Sequence, residues 1–427
     1  MMRSPIVVAL VLAATNMHTA VATPDRAGGV PAAGTPVGSR GTPIDAAGSP
    51  EAAGTPPGEP GTPDGAERTP GAPGSAGSTV ATPAPAGESG AGGARAEAGV
   101  AVSASRRAAA IAVAIFPGVL VHGAGSWVLG NRRTAKRLAA TGALGLAAAA
   151  AGGLPIVGSG SSPYTIWPGV PLVVSGVGVF LSSWLADIWV AAGGSQLPAT
   201  PLAMAPWSIE VATTWQHDAY RERALLGGAG HLELGRLGLD AGGYVDAQNA
   251  SRSGGVGARW RFFGPAATGR AVPDGTRLVG RVDARLDRDD DDLVTLATAE
   301  GELSGRVDLD RLDPAIRGSF LELSVGGGVT RTTYPRDRHD TAAILLARFA
   351  WGAYLGDRGE LALFYDHRRD GLAGGLAASH AAGFVGSVGA TTELRVTGPW
   401  AAHGQLQVGS AWVTTLGVRY LGGLGDR

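Results

Sequence analysis

From Trp207 onward, apolar and polar residues alternate with a period of two, which marks strands with one apolar face. Trp207, Ile209, Val211, Thr213 and Trp215 share one side, and Ser208, Glu210, Ala212, Thr214 and Gln216 the other. Val256, Ala258, Trp260 and Phe262 alternate with Gly257, Arg259 and Arg261. Leu278, Gly280, Val282, Ala284 and Leu286 oppose Val279, Arg281, Asp283, Arg285 and Asp287. Leu303, Val307 and Leu309 oppose Glu300, Glu302, Ser304, Arg306 and Asp308. Phe349, Trp351, Ala353 and Leu355 line one side of a later stretch. Phe384, Val388, Ala390, Leu394 and Val396 line one side of the next, opposite Glu393 and Arg395. Trp412, Thr414, Leu416, Val418 and Tyr420 form the last apolar row. Turn chemistry separates the stretches at 249–254, 287–292, 335–340, 356–359 and 368–371. The pattern predicts about ten to twelve strands over 200–427. Its phase slips near Gly235-Arg236, and the run breaks at Gly409-Ser410.

Ahead of the strands, residues 104–194 follow another pattern. Ala108–Val121, Leu138–Gly158 and Ile166–Ala186 are uncharged runs rich in Ala, Gly, Leu and Val, and Pro117-Gly118 breaks the first. A small apolar helical region is expected. The second and third runs reach the length of a membrane span. Helical spans beside a barrel would be unusual, so the expectation is close-packed or membrane-skimming helices on the periplasmic side. Arg132, Arg133, Lys136 and Arg137 sit between the first two runs and suit either anionic headgroups or a solvated turn. His122, in Phe116-Pro117-Gly118-Val119-Leu120-Val121-His122-Gly123-Ala124-Gly125, reads as a satisfied or interfacial histidine rather than a functional one.

Residues 23–103 show neither pattern. Within 23–100 lie 13 of the chain's 27 prolines and no aromatic residue, and Gly-Thr-Pro recurs from Gly34, Gly41, Gly54 and Gly61. Ordering such a stretch costs backbone entropy with little apolar return, so it reads as a disordered linker. Contact with peptidoglycan or a periplasmic protein is the alternative to a plain spacer. Residues 1–22 read as a signal peptide: Arg3, an apolar run Pro5–Ala14, and Ala20-Val21-Ala22 at the cleavage positions.

Composition narrows the chemistry. The net charge of -1 gives no reason to expect a nucleic-acid partner. With no cysteine, disulfides and cysteine-based metal or nucleophile sites are excluded. Asp289–Asp292 is a charged loop without EF-hand spacing, and no metal or cofactor is expected. For nucleophilic chemistry the candidates are His217-Asp218, Asp366-His367 and Ser379-His380. Neighbours on a strand face opposite sides, so neither Asp366-His367 nor Ser379-His380 is a self-contained dyad on a regular strand.

One face of the predicted strands carries charge at mid-strand, and the other carries Leu, Val, Ala and Phe with Trp near several ends. In this the region resembles bacterial outer-membrane β-barrels as a general class. The aromatic residue on which such chains often end lies seven residues earlier here, at Tyr420. The resemblance implies an antiparallel transmembrane barrel in contact with outer-membrane lipid. Arg281, Asp283, Arg285, Glu300, Glu302, Arg306, Glu393 and Arg395 are then the candidates for a polar lumen. The expected role is structural or porin-like. An envelope adaptor using the helical region, and a lipid-acting barrel enzyme, are the alternatives.

Overall fold

The computed structural model describes residues 102–197, 200–217, 222–246, 251–270, 272–289, 293–367, 386–409 and 411–424. The expected signal segment, nearly all of the expected linker, Asp218, Asp290, Asp291, Asp292, Ser379, His380 and Phe384 lie outside these residues.

Twelve antiparallel strands close into one barrel, each paired with its neighbours in sequence and the last with the first. They are β1 (Trp207–His217), β2 (Glu222–Leu234), β3 (Leu237–Asp246), β4 (Arg252–Phe263), β5 (Arg277–Asp289) and β6 (Val294–Asp308). There follow β7 (Ser319–Thr333), β8 (His339–Leu355), β9 (Gly359–His367), β10 (Ser387–Thr397), β11 (Trp400–Val408) and β12 (Trp412–Gly422). Closure comes from the β1–β12 ladder, which runs from Trp207 opposite Gly422 to His217 opposite Trp412. The phase slip at Gly235-Arg236 is a two-residue turn between β2 and β3, with Gly235 at φ 66°. The break after Gly409 is the β11–β12 turn. The rim where β1 begins and β12 ends is here called the near rim, and its opposite the far rim.

Register fixes which way each side chain points, because directly opposed residues share a face. Glu210 opposes Arg419 across the closing ladder, and Asp283 opposes Glu300 between β5 and β6. The charged rows of neighbouring strands are thereby gathered on the inside. Outside, Ile209, Val211, Val256, Val282, Leu286, Leu416 and Val418 are exposed. Trp207, Trp260 and Trp400 mark the near edge of this apolar surface, and Trp215 and Trp412 the far edge. An apolar band flanked by aromatic residues suits a bilayer, and a closed sheet leaves no unpaired edge in it.

Four helices precede the barrel: α1 (Ala104–Ile115), α2 (Ala124–Val128), α3 (Arg132–Gly158) and α4 (Pro163–Ala191). Ser103 caps α1 by accepting from the Arg106 amide at 3.3 Å. Asn131 caps α3 in the same way through the Thr134 amide at 3.4 Å. The α3–α4 hairpin is held by glycines whose missing side chains let the backbones touch. A Cβ on Gly145 would stand 2.5 Å from the Phe180 amide nitrogen, and one on Gly152 2.6 Å from the Gly169 carbonyl.

Of these, α4 lies against the outside of the barrel and α3 packs on it, which corrects the expectation of a periplasmic-side cluster. The third helical run, in α4, lies along the outward face of β7, β8 and β9. Trp167 covers Gly327 on β7. Val174 and Val170 meet Ala347, Phe349, Leu323 and Tyr365. Ala186, Val190 and Trp189 meet Trp351, Ala353, Leu321 and Leu363 nearer the other end. The Trp189 indole donates to the Arg317 carbonyl at 3.0 Å, just beyond the near rim. An apolar helix finds on this wall a matching apolar surface of large rings facing small residues.

Candidate functional site

The chemistry-bearing surface is the lumen. A charged girdle rings its near third, and all twelve strands contribute to it. Arg306 on β6 is gripped between two carboxylates, at 2.9 Å from Glu322 on β7 and 2.9 Å from Glu360 on β9. Its guanidinium also lies 3.9 Å from the Phe320 ring centroid. Arg348 on β8 and Arg277 on β5 approach the same Glu322 at 3.6 and 3.8 Å. Tyr354 donates its hydroxyl proton to Asp308 at 2.7 Å, closing this side.

A second knot lies across the closing seam. Arg419 on β12 binds both Glu210 on β1 and Glu393 on β10, and His403 on β11 lies 3.1 Å from Glu210. A third knot joins β2, β3 and β4. Arg259 donates from Nη2 to Asp240 at 3.1 Å, with its Nε 2.9 Å from the other carboxylate oxygen, and His231 lies 3.0 Å from Asp240. Arg261 reaches toward Glu233 at 3.7 Å. Both signs occur around the ring and bridge between strands, so the girdle is a paired network rather than a field of one sign.

Towards the far rim small or neutral inward side chains, Ala212, Gly227, Gly242, Gly255, Thr298 and Gln405, stand among charged ones such as Arg285, Glu300 and Asp366. The result is a cavity of about 920 Å³ along the barrel. It runs from Pro201–Ala205 at the near rim to the level of Ser253 and Gln407, close to the far ends of β4 and β11.

The near rim is not an open mouth. The chain leaving α4 folds inward over residues 201–206 before β1 begins. Ala203 is buried, and its carbonyl accepts from the Arg395 guanidinium. The Met204 carbonyl accepts from the Gly269 amide at 2.9 Å. Gly269 belongs to the β4–β5 connection, which also turns inward: the Gly275 amide donates to Asp308 at 2.6 Å. Outside the strands, Asp274 holds this connection to Arg311 at 2.9 Å. Burial works against the Asp274 charge. The Arg311 guanidinium and the Thr276 hydroxyl and amide outweigh it and hold the carboxyl down at about 2.

All eight sequence candidates lie at inward positions. Arg281 pairs with Asp283 at 2.7 Å and Arg285 with Asp287 at 2.7 Å, each two residues along its own strand. Glu300 and Glu302 line the cavity opposite Gly328 and Gly326. Arg306 and Glu393 belong to the girdle, and Arg395 clamps the near-rim segment. The sequence did not single out Glu322, Glu360, Arg419, His403 or the 201–206 segment. Glu322 and Glu360 sit at inward positions in stretches whose alternation is blurred.

The other candidates find structural places. Asp366 points inward, whereas His367 points outward beside Tyr365, whose hydroxyl lies 3.1 Å from its Nδ1. His217 stacks on Trp215 at a 14° interplanar angle. His122 is buried, bonded through Nδ1 to Ser183, with Nε2 3.2 Å from the Val119 carbonyl. Glycine at 142 leaves room for its ring.

No protein-family model matches the chain, and no curated protein is similar to it. Among solved structures it is similar to the KdgM porin, at 10% identity over 50% of this chain and 98% of that one, with a TM-score of 0.32. It is also similar to Omp33 from Acinetobacter baumannii, at 7% identity over 52% and 100% with a TM-score of 0.26. A third is the β-domain of the Bordetella autotransporter BrkA, at 15% over 51% and 99% with a TM-score of 0.27. Each likeness spans about half of the present chain. The closed twelve-stranded wall, apolar and belted with aromatics outside and charged within, has the architecture of a transmembrane β-barrel of the outer-membrane type.

Proposed function

We propose that the barrel is a narrow porin-like conduit for small polar solutes, closed at its near rim by its own segment Pro201–Pro206. The observation that carries this reading is the axial cavity of about 920 Å³, lined by paired charges and small polar residues. A barrel built only as an anchor has no need for small residues inside the far half. A lumen with both signs of charge favours solutes that hydrogen-bond and carry balanced or little net charge. Passage requires the near-rim segment to move, and its hold on the wall is a few hydrogen bonds, chiefly Arg395 to Ala203 and Gly269 to Met204.

The test is conductance of the purified protein in planar bilayers, wild type against Arg395→Ala. Small discrete steps are expected, and the variant should raise open probability several-fold without changing the barrel's heat-modifiable migration. Absence of steps in both proteins would remove the conduit reading.

A further inference from the structure

The flank position of the helices raises a question that the lumen does not answer: what covers their outer face. Leu144, Leu146, Leu154 and Val157 of α3 are exposed, Leu146 to 60%. So large an apolar surface on a protein in water marks a missing partner.

Three observations point to lipid as that partner. The first is length. Leu138–Gly158 is an uncharged helix of 21 residues, about 31 Å long at 1.5 Å per residue. A bilayer core is about 30 Å thick. The antiparallel α4 matches it along the barrel wall that itself faces lipid elsewhere.

The second is charge. Every basic residue of the helical region, Arg106, Arg107, Arg132, Arg133, Lys136 and Arg137, lies in the first turns of α1 or α3. Arg137 fixes this level at the near rim: it donates to the Leu312 carbonyl at 2.6 Å and pairs with Asp313 at 3.1 Å in the β6–β7 connection. The hairpin tip, Ser159–Ser162, carries no charge. The region's one acidic residue, Asp187, is fully buried and accepts from the Gly125 amide at 2.9 Å and from the Ser126 amide and hydroxyl at 2.8 and 2.6 Å. A carboxylate so satisfied meets the demand that a membrane interior makes of polar groups.

The third is the placing of aromatics. Tyr164 and Trp167 stand at the tip, and Trp127 and Trp189 at the base, repeating the two aromatic levels of the barrel.

We propose that the α3–α4 hairpin crosses the same bilayer as the barrel. Its outer face lies against acyl chains, and its basic base lies among anionic headgroups on the near-rim side. The barrel then carries a helical buttress in the membrane.

The chain's lack of cysteine makes single thiols clean probes. Ser161→Cys marks the tip, Leu146→Cys the middle, Lys136→Cys the base and His339→Cys the far rim of the barrel. Heat-modifiable migration confirms folding of each variant. In intact cells, Ser161→Cys and His339→Cys should react with an impermeant maleimide from one side and Lys136→Cys from the other. In reconstituted phospholipid vesicles, a bimane on Leu146→Cys should be quenched several-fold more by chain-brominated lipid than one on Lys136→Cys. Reaction of Ser161→Cys from the Lys136 side overturns the proposal. So does equal quenching at Leu146 and Lys136.

Discussion

Two stretches of the same outer wall meet different neighbours. On β5, Val282 faces outward and is 60% exposed; on β8, Trp351 faces outward and is 7% exposed under α4. Both positions belong to one alternating pattern and both are apolar. Alternation reports only which face of a strand is apolar. It does not report whether that face meets fluid chains or a fixed helix. The difference appears in shape. The bare wall carries mostly branched aliphatics with no partner to fit. The covered wall sets Phe349 and Trp351 against Gly178, Val174, Ala186 and Trp189.

If that contrast is correct, substitutions at equivalent outward positions should separate. The largest effect is expected for Trp351→Ala, which opens a void between two fixed surfaces. Such a truncation costs about 3–5 kcal/mol, read as a lowered unfolding midpoint in detergent or lipid. Next comes Gly178→Leu, whose Cβ would lie 2.5 Å from the Cβ of Phe349. Overpacking of this kind costs about 1–3 kcal/mol, and the same melt should show it. The smallest stability effect is expected for Val282→Trp on the bare wall, where lipid yields to the added bulk. A change within about 0.5 kcal/mol is expected there, as at an ordinary surface site. A Val282→Trp loss as large as that of Gly178→Leu would erase the distinction.

A weaker effect concerns the near rim. Asp274 is held at about 2, below the usual carboxylate range, so its hold on Arg311 is complete above about pH 4 and is lost as pH falls through about 2. Asp274 and Arg311 are largely solvent-facing, so the consequence is local. Protection of the Gly275 and Thr276 amides from exchange, relative to the intrinsic rate at each pH, should fall between pH 4 and pH 2 in the wild type. In Asp274→Asn it should already be low at pH 4.

How far the sequence could be read follows the same division. Alternation located β1, β4, β5 and β12, together with the inward faces of Arg281, Asp283, Arg285 and Arg306, because in those strands one face meets lipid and the other meets charge. It faded in β8 and β9, where both faces carry large apolar residues. The outward side of β8 meets α4, and its inward side joins Phe320, Ala350, Tyr354 and Phe364 in a cluster inside the barrel. Glu322 and Glu360 were hidden beside that cluster. The slip at Gly235-Arg236 looked like a fault because a two-residue turn leaves little polar sequence to announce it. Residues 201–206 precede the first alternating row, and nothing local shows that their carbonyls would meet Arg395 and Gly269 inside the lumen. The apolar helices were legible as helices. Their place on the flank was not, since it depends on the fit between two surfaces far apart in sequence.

That fit can be tested directly by cross-linking. In native membranes, oxidation of Gly178→Cys/Phe349→Cys should join α4 to β8, because the two Cβ positions lie within about 1 Å of disulfide spacing. Gly178→Cys/Val282→Cys, aimed at the bare wall, should stay unjoined. A covalent bond in the first pair and none in the second is the expected result. No bond in the first pair, with both thiols free to react with maleimide, would contradict the docking of the helices on the barrel wall.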